Sequence, residues 1–163
     1  MGNLREYSRS KSYLSLSAAY TPLIFWIGVL LYMSGSAGST ARTLRRIRPV
    51  LEFIFPSFPP ETISAMHGYI RKFSHFAGYG ILAYLAARSF TSRFESKITW
   101  KTAAASVLLA GIVAVADEFR QSREPTRVGS VSDVLIDLSG ASFTAILLFL
   151  FSNRGASTLR PIQ

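Results

Sequence analysis

Three sets of polar and ionisable residues lie within or beside apolar segments of the sequence, and each set has helical spacing. The sets are Lys72, His75 and Tyr79; Asp117, Glu118 and Gln121; and Asp133, Asp137 and Gly140. Residues three or four positions apart share one face of a helix, so each set predicts a polar face. Glu118 directly follows Asp117 and therefore lies beside that face. A charge at the centre of a bilayer costs roughly 2.5–3.5 kcal/mol, which favours turning these faces inward. We therefore predict one polar pocket near one membrane surface.

The residue types in this predicted pocket suit acid–base chemistry on an anionic group. His75 is a candidate general acid or base, which Asp117 or Glu118 would orient by fixing its tautomer. Lys72 and Arg127 are candidates for holding a phosphate. The candidate catalytic residues are His75, Asp117, Glu118 and Asp133, and the candidate substrate-binding residues are Lys72, Tyr79, Gln121, Arg127, Ser130 and Asp137. A reaction on a lipid headgroup would be a hydrolysis or a transfer.

The same cluster is compatible with three readings that involve no catalysis. It can recognise an anionic headgroup, relay protons in a small transporter that would have to oligomerise, or lock three helices together as a self-satisfied network. Glu118 and Asp133 could instead hold a divalent cation, but no spacing here is diagnostic of a metal, so no metal site is predicted and the cofactor stays unknown.

The composition places the chain in a membrane. Of its 163 residues 49% are hydrophobic and only 17% are charged, against about 25% in soluble proteins. The net charge is +9, and the basic residues cluster beside the apolar runs, which favours contact with anionic lipid over binding to nucleic acid. The absence of cysteine excludes disulfides and thiolate metal sites.

The apolar runs predict an all-α bundle of four transmembrane helices, because single spans can only be helical. We expect a basic segment over residues 1–16, a transmembrane domain over 17–151 and a tail over 152–163. The predicted spans are 17–33, 69–90, 102–119 and 134–151. The first run also resembles a signal peptide, but its length favours a retained helix with Pro22 in its first turn.

The connections before the second and the fourth span each allow a specific structural prediction. Residues 34–65 are predicted to be an irregular Pro/Phe-rich loop, either a plain linker or an interfacial segment with Phe53, Phe55 and Phe58 among lipid headgroups. The short connection between the third and fourth spans makes those spans antiparallel neighbours. Ser130 or Ser132 is expected to cap the fourth helix, with Asp133 in its first turn.

Two segments resemble the signatures of the VanZ-like family, which is named for a membrane protein associated with teicoplanin resistance. They read "KFSHFAGYGIL" from Lys72 and "DEFRQSREPTRVGSVSDVLIDLSG" from Asp117. The family pattern is K-x2-HF-x2-Y followed by DE-x2-Q-x3-P-x-R-x2-S-x2-D-x3-N-x2-G, and the sequence departs from it at Asp137, where the family usually has Asn. The resemblance implies a multi-pass protein of the bacterial inner membrane linked to the cell envelope or to glycopeptide susceptibility.

Overall fold

The computed structural model describes residues 2–35, 38–91, 97–123 and 130–154, with side chains from residue 17 to residue 152 within those ranges. All the regular structure in these ranges is helical. The helices are α1 (Gly2–Ser34), α2 (Thr40–Ile54), α3 (Pro60–Phe90), α4 (Trp100–Gln121) and α5 (Val131–Arg154).

Helix α3 is the centre of the fold and packs against each of the other four helices. It runs antiparallel to α1, because the Trp26 indole donates to the carbonyl of Gly78 (2.9 Å) while Ser89 donates to the carbonyl of Ala19 (2.9 Å). It runs parallel to α5, which it meets along its length, and α4 packs against both. The C-terminal ends of α1 and α4 therefore lie at the same end of the bundle as the start of α5.

The contact between α3 and α5 is unusually close because it is made by small residues. A Cβ added at Gly140 would collide with the backbone carbonyl of Phe76 and lie 3.0 Å from its Cα atom. One turn further along, a Cβ at Gly80 would lie 2.8 Å from the Thr144 hydroxyl oxygen. Such small residues let helix backbones approach each other where lipid gives no hydrophobic drive for association.

In the described ranges, three helices are long and apolar enough to cross a membrane: Ser17–Ser34 of α1, Trp100–Gln121 of α4 and Val131–Ser152 of α5. The same measure does not select α3, although its 31 residues exceed the required length. Its position explains the difference. A helix surrounded by other helices can turn polar side chains towards protein instead of lipid, so its mean hydropathy need not be high.

The segment 34–65 differs from the predicted irregular loop. It contains the 15-residue helix α2 with Pro49 inside it, and α3 begins at Pro60, well before residue 69. The missed signal is the spacing of Leu44, Ile47 and Leu51, which gives α2 an apolar face that packs against α3. Burial of that face outweighs the backbone hydrogen bond that Pro49 removes.

The first helix also begins earlier than predicted. Because α1 starts at Gly2, Pro22 lies inside the helix and not in its first turn, and residues 2–16 of the basic segment continue into the span without a break. The Thr21 hydroxyl donates to the carbonyl of Ser17 (2.7 Å) at this point. The other predicted spans agree with α4 and α5 to within three residues at each end.

Candidate functional site

A cavity of about 450 Å³ lies at the end of the bundle where α1, α2, α3 and the end of α4 meet. Its apolar lining residues include Trp26, Leu30, Met33, Ile47 and Ile70. Its polar lining residues include Thr43, His67, Arg71, His75, Tyr79 and Asp117. A cavity with an apolar wall and a few convergent polar groups is the usual form of a ligand site.

Two buried oxygens in the wall of this cavity have no hydrogen-bond partner among the described residues. They are the hydroxyl oxygen of Tyr79 and Oδ1 of Asp117. Tyr79 is 2% exposed and Asp117 is 4% exposed. The other carboxylate oxygen of Asp117 accepts from the amide nitrogen of Gln121 at 2.8 Å. Because an unpaired buried polar atom typically costs about 1–3 kcal/mol, these two atoms mark the cavity as a place where a ligand group gains hydrogen bonds.

His75 pairs with Asp137 across the contact between α3 and α5. Its Nδ1 lies 3.0 Å from Oδ1 of Asp137, and the Asp137 side chain is almost completely buried. Asp137 thus orients the imidazole, whereas the sequence predicts Asp117 or Glu118 as its partner, and that prediction is wrong. The pair fixes the imidazole at the cavity wall, and the other ring nitrogen, Nε2, makes no hydrogen bond with any side chain or backbone group that the structure describes.

The side of the cavity next to α2 carries positive charge and a second histidine. Arg71 donates from its guanidinium to the carbonyl of Gly38 at 2.9 Å. His67, only 3% exposed, has its Nε2 atom 2.9 Å from the Thr43 hydroxyl oxygen. These two contacts hold α2 and the chain before it against α3. They also leave Arg71 at the cavity, where a guanidinium can hold an anionic group.

Glu118 and Asp133 belong to the junction between α4 and α5. The Glu118 carboxylate accepts a hydrogen bond from the backbone N–H of Ser130, immediately before α5 begins. A carboxylate in this position satisfies a free N–H group and complements the positive end of the helix dipole. Asp133 lies in the first turn of α5, within electrostatic range of Glu118. In the described part of the chain, no group of three or more His, Asp or Glu residues is arranged to hold a metal ion.

The predicted site residues fall into three groups in the structure. His75, Tyr79, Asp117 and Gln121 line the cavity. Asp137, Glu118, Asp133 and Ser130 lie at the junction behind it, where the Ser130 hydroxyl is 2.6 Å from that of Ser132. Lys72 is exposed and forms no salt bridge with any described carboxylate. Arg127 lies outside the described residues.

Sequence reasoning missed Arg71, His67 and Thr43 as cavity residues. The spacing of His67, Arg71, Ser74 and Gly78 places them on one helical face, and this was the available signal. Thr43 had no signal of its own, because α2 was not predicted to be a helix. The Arg120 guanidinium donates to the carbonyl of Leu31 and joins the C-terminal ends of α1 and α4, and this contact was also not predicted.

Over its described residues the chain is all-helical and has three helices with the length and apolarity of membrane spans, which indicates a membrane protein. The model of the VanZ/LLP1 family matches residues 19–152, and the chain belongs to this family. The resemblance noted in the two signature segments is thereby confirmed. Searches of curated proteins and of solved structures find no match to this chain.

Proposed function

We propose that this protein binds the anionic, phosphate-bearing headgroup of a bacterial envelope lipid or lipid-linked precursor in the cavity between α1, α2 and α3. The observation that carries the proposal is the cavity itself, where Arg71 and two buried oxygens that are unpaired among the described residues lie beside apolar side chains. An amphiphile has the matching character, with a charged head and apolar chains. The proposed partners are this lipid and the bilayer, and nucleic acid is not among them.

We also propose that the chain crosses the bacterial inner membrane four times, with α3 as a further span beside α1, α4 and α5. Helix α3 lies among α1, α4 and α5, all of which have membrane-crossing length and apolarity. A 31-residue helix packed along three such neighbours reaches about 46 Å, which exceeds a hydrocarbon core of about 30 Å. The polar end of the cavity then lies near the headgroups of one leaflet.

Helix α2 supports this placement, because its exposed residues suit a membrane interface. Arg42, Arg45 and Arg46 lie along its first half and surround a surface pocket. Its second half exposes Phe53 (87%) and Ile54 (56%). Arginines and exposed large apolar residues on one short helix suit the headgroup region of a bilayer, which supports placing the α2 side of the cavity at headgroup depth.

Replacement of Arg71 by alanine is expected to lower the retention of phosphate-bearing lipid at least tenfold, because the cavity loses its guanidinium. A tenfold change corresponds to about 1.4 kcal/mol. The measurement is native mass spectrometry of protein purified from bacterial membranes in mild detergent. Arg88→Ala is the matched control, since Arg88 is exposed at the other end of the same helix. Equal lipid retention in the two variants, with both folded, contradicts the proposal.

The His75–Asp137 pair favours a second candidate function, the hydrolysis or transfer of a headgroup with His75 as general acid or base. A carboxylate on Nδ1 leaves Nε2 for proton transfer, as the reaction requires. Incubation with bacterial lipid extract is expected to give a changed lipid by mass spectrometry, and His75→Gln is expected to give none. If the wild-type protein leaves the lipid profile unchanged, hydrolysis and transfer are rejected and the proposed binding remains.

An effect on teicoplanin susceptibility is part of the same proposal, because binding a lipid-linked precursor changes what a glycopeptide can reach at the membrane.

A further inference from the structure

The α4 side of the cavity holds a carboxylate oxygen with no hydrogen-bond donor among the described residues, beside the Tyr79 hydroxyl, which can donate or accept. Oδ1 of Asp117 is buried and unpaired, and the neighbouring Tyr79 hydroxyl oxygen is buried without a partner among the described residues. Asp117, Asp137 and Glu118 all lie within electrostatic range of that hydroxyl. A phosphate cannot satisfy a carboxylate, since both groups only accept hydrogen bonds. The headgroup that Arg71 holds must therefore offer something else to this side.

Among the described residues, the charge balance at this end favours a cationic group. Four carboxylates, those of Asp117, Glu118, Asp133 and Asp137, lie close together at the junction of α4 and α5. Within the described ranges, His75 is the only basic residue that forms a salt bridge with any of them. Burying carboxylates without a positive partner is unfavourable in a low dielectric. A ligand ammonium relieves this repulsion, whereas a neutral hydroxyl supplies a donor without the charge.

The two sides of the cavity are arranged to receive a phosphate and an amine in one headgroup. Arg71 and Tyr79 are eight residues apart on α3, or about 12 Å along the helix axis. The Arg71 side chain reaches towards Gly38 on the α2 side, whereas Asp117 approaches Tyr79 from α4. The anionic and the cationic parts of a ligand are thus held on opposite sides of His75.

We propose that the cavity selects a phospholipid whose headgroup carries a primary ammonium, which donates to Asp117 and to the Tyr79 oxygen while its phosphate faces Arg71. This inference rests on the proposed lipid binding and specifies its chemistry. A primary ammonium has three N–H donors, enough for both unpaired oxygens. A trimethylated ammonium has the same charge and no donor, so the cavity distinguishes the two.

The test compares phosphatidylethanolamine, phosphatidylcholine and phosphatidylglycerol with matched acyl chains, mixed in equal amounts and offered to delipidated protein. Native mass spectrometry is expected to show phosphatidylethanolamine retained at least fivefold over phosphatidylcholine. Asp117→Asn keeps the shape of the side chain and the contact with Gln121 but removes the charge. In this variant the ratio is expected to fall to about one.

A second variant keeps the test decisive if Asp117→Asn fails to fold. Tyr79→Phe removes a single oxygen that has no partner in the described structure, and it is expected to lower the same ratio without lowering the melting temperature. Tyr84→Phe is its control, because Tyr84 is exposed on the same helix. Unchanged ratios in folded Asp117→Asn or Tyr79→Phe protein overturn the inference.

The wild-type result separates this inference from the proposed function. Equal retention of phosphatidylethanolamine and phosphatidylcholine overturns the donor requirement, and a preference for phosphatidylglycerol overturns the ammonium. In both cases lipid binding itself stands. Retention of none of the three lipids, by contrast, contradicts the binding of a phospholipid and the inference with it.

Discussion

Replacement of Gly140 by alanine is expected to destabilise the protein by about 3 kcal/mol, at the upper end of the usual range for overpacking. The added Cβ would meet the backbone carbonyl of Phe76, and backbone cannot move aside as the end of a flexible side chain can. Helices α3 and α5 would have to separate along their whole contact. The measurement is thermal or denaturant unfolding in detergent, followed by circular dichroism.

Gly28→Ala is the matched control for this prediction. Gly28 also lies within a membrane-crossing helix, but an added Cβ there meets no described atom within 4 Å. Alanine is favoured over glycine in helices by up to about 1 kcal/mol, so this variant should be neutral or slightly more stable. If both variants unfold at the wild-type midpoint, the close approach of α3 and α5 is not present in the folded protein.

Replacement of His75 by alanine is expected to cost about 3 kcal/mol of stability, because it leaves the buried Asp137 carboxylate without its partner. Loss of one member of a buried ion pair typically costs about 3–5 kcal/mol, and His75 is only partly buried, so the lower end applies. Unfolding in detergent without added lipid measures this effect apart from ligand binding. Ser74→Ala, next to it on α3, removes only an exposed hydroxyl that bonds to the carbonyl of Ile70 and is the control.

A substitution of Asp137 tests whether His75→Ala loses stability through the unpaired carboxylate or through lost packing. Asp137→Asn keeps an oxygen that can accept from His75 Nδ1, and it installs the amide that the family pattern has at this position. We expect its stability to lie within about 1 kcal/mol of the wild type, because a neutral hydrogen bond replaces a charged one. The double variant His75→Ala with Asp137→Asn should regain most of the stability that His75→Ala loses. If the double variant is as unstable as His75→Ala, the stability is lost through packing and not through the unpaired Asp137 carboxylate.

The polar faces of the three helices could be predicted from the sequence because their spacing is local. Residues three or four apart share a face whatever the tertiary structure, so Tyr79 and His75 on α3 and Asp117 and Gln121 on α4 were found as cavity residues. The partner of His75 could not be found in this way. It depends on which turn of α5 meets α3, and that register is set by the close approach of Gly140 to Phe76.

The α2 side of the cavity was missed because two local signals conflict there. Pro49 indicates a break, whereas Leu44, Ile47 and Leu51 indicate an amphipathic helix. The outcome depends on whether α3 offers a surface on which to bury that apolar face, which is a tertiary property. Without α2 there was no reason to consider Thr43, and the position of His67 beside it could not be inferred.

The helix contact behind the cavity is built more firmly than the α2 wall of the cavity. Behind it, the backbones of α3 and α5 touch directly at Gly140, with no side chain between them that could change rotamer and yield. On the other side α2 is attached through one apolar face, the Thr43–His67 contact and the bond from Arg71 to Gly38. The His75–Asp137 pair, which joins α3 to α5, therefore lies in the rigid part of the structure. We expect any opening of the cavity to occur on its α2 side, where one apolar face and two hydrogen bonds hold the helix.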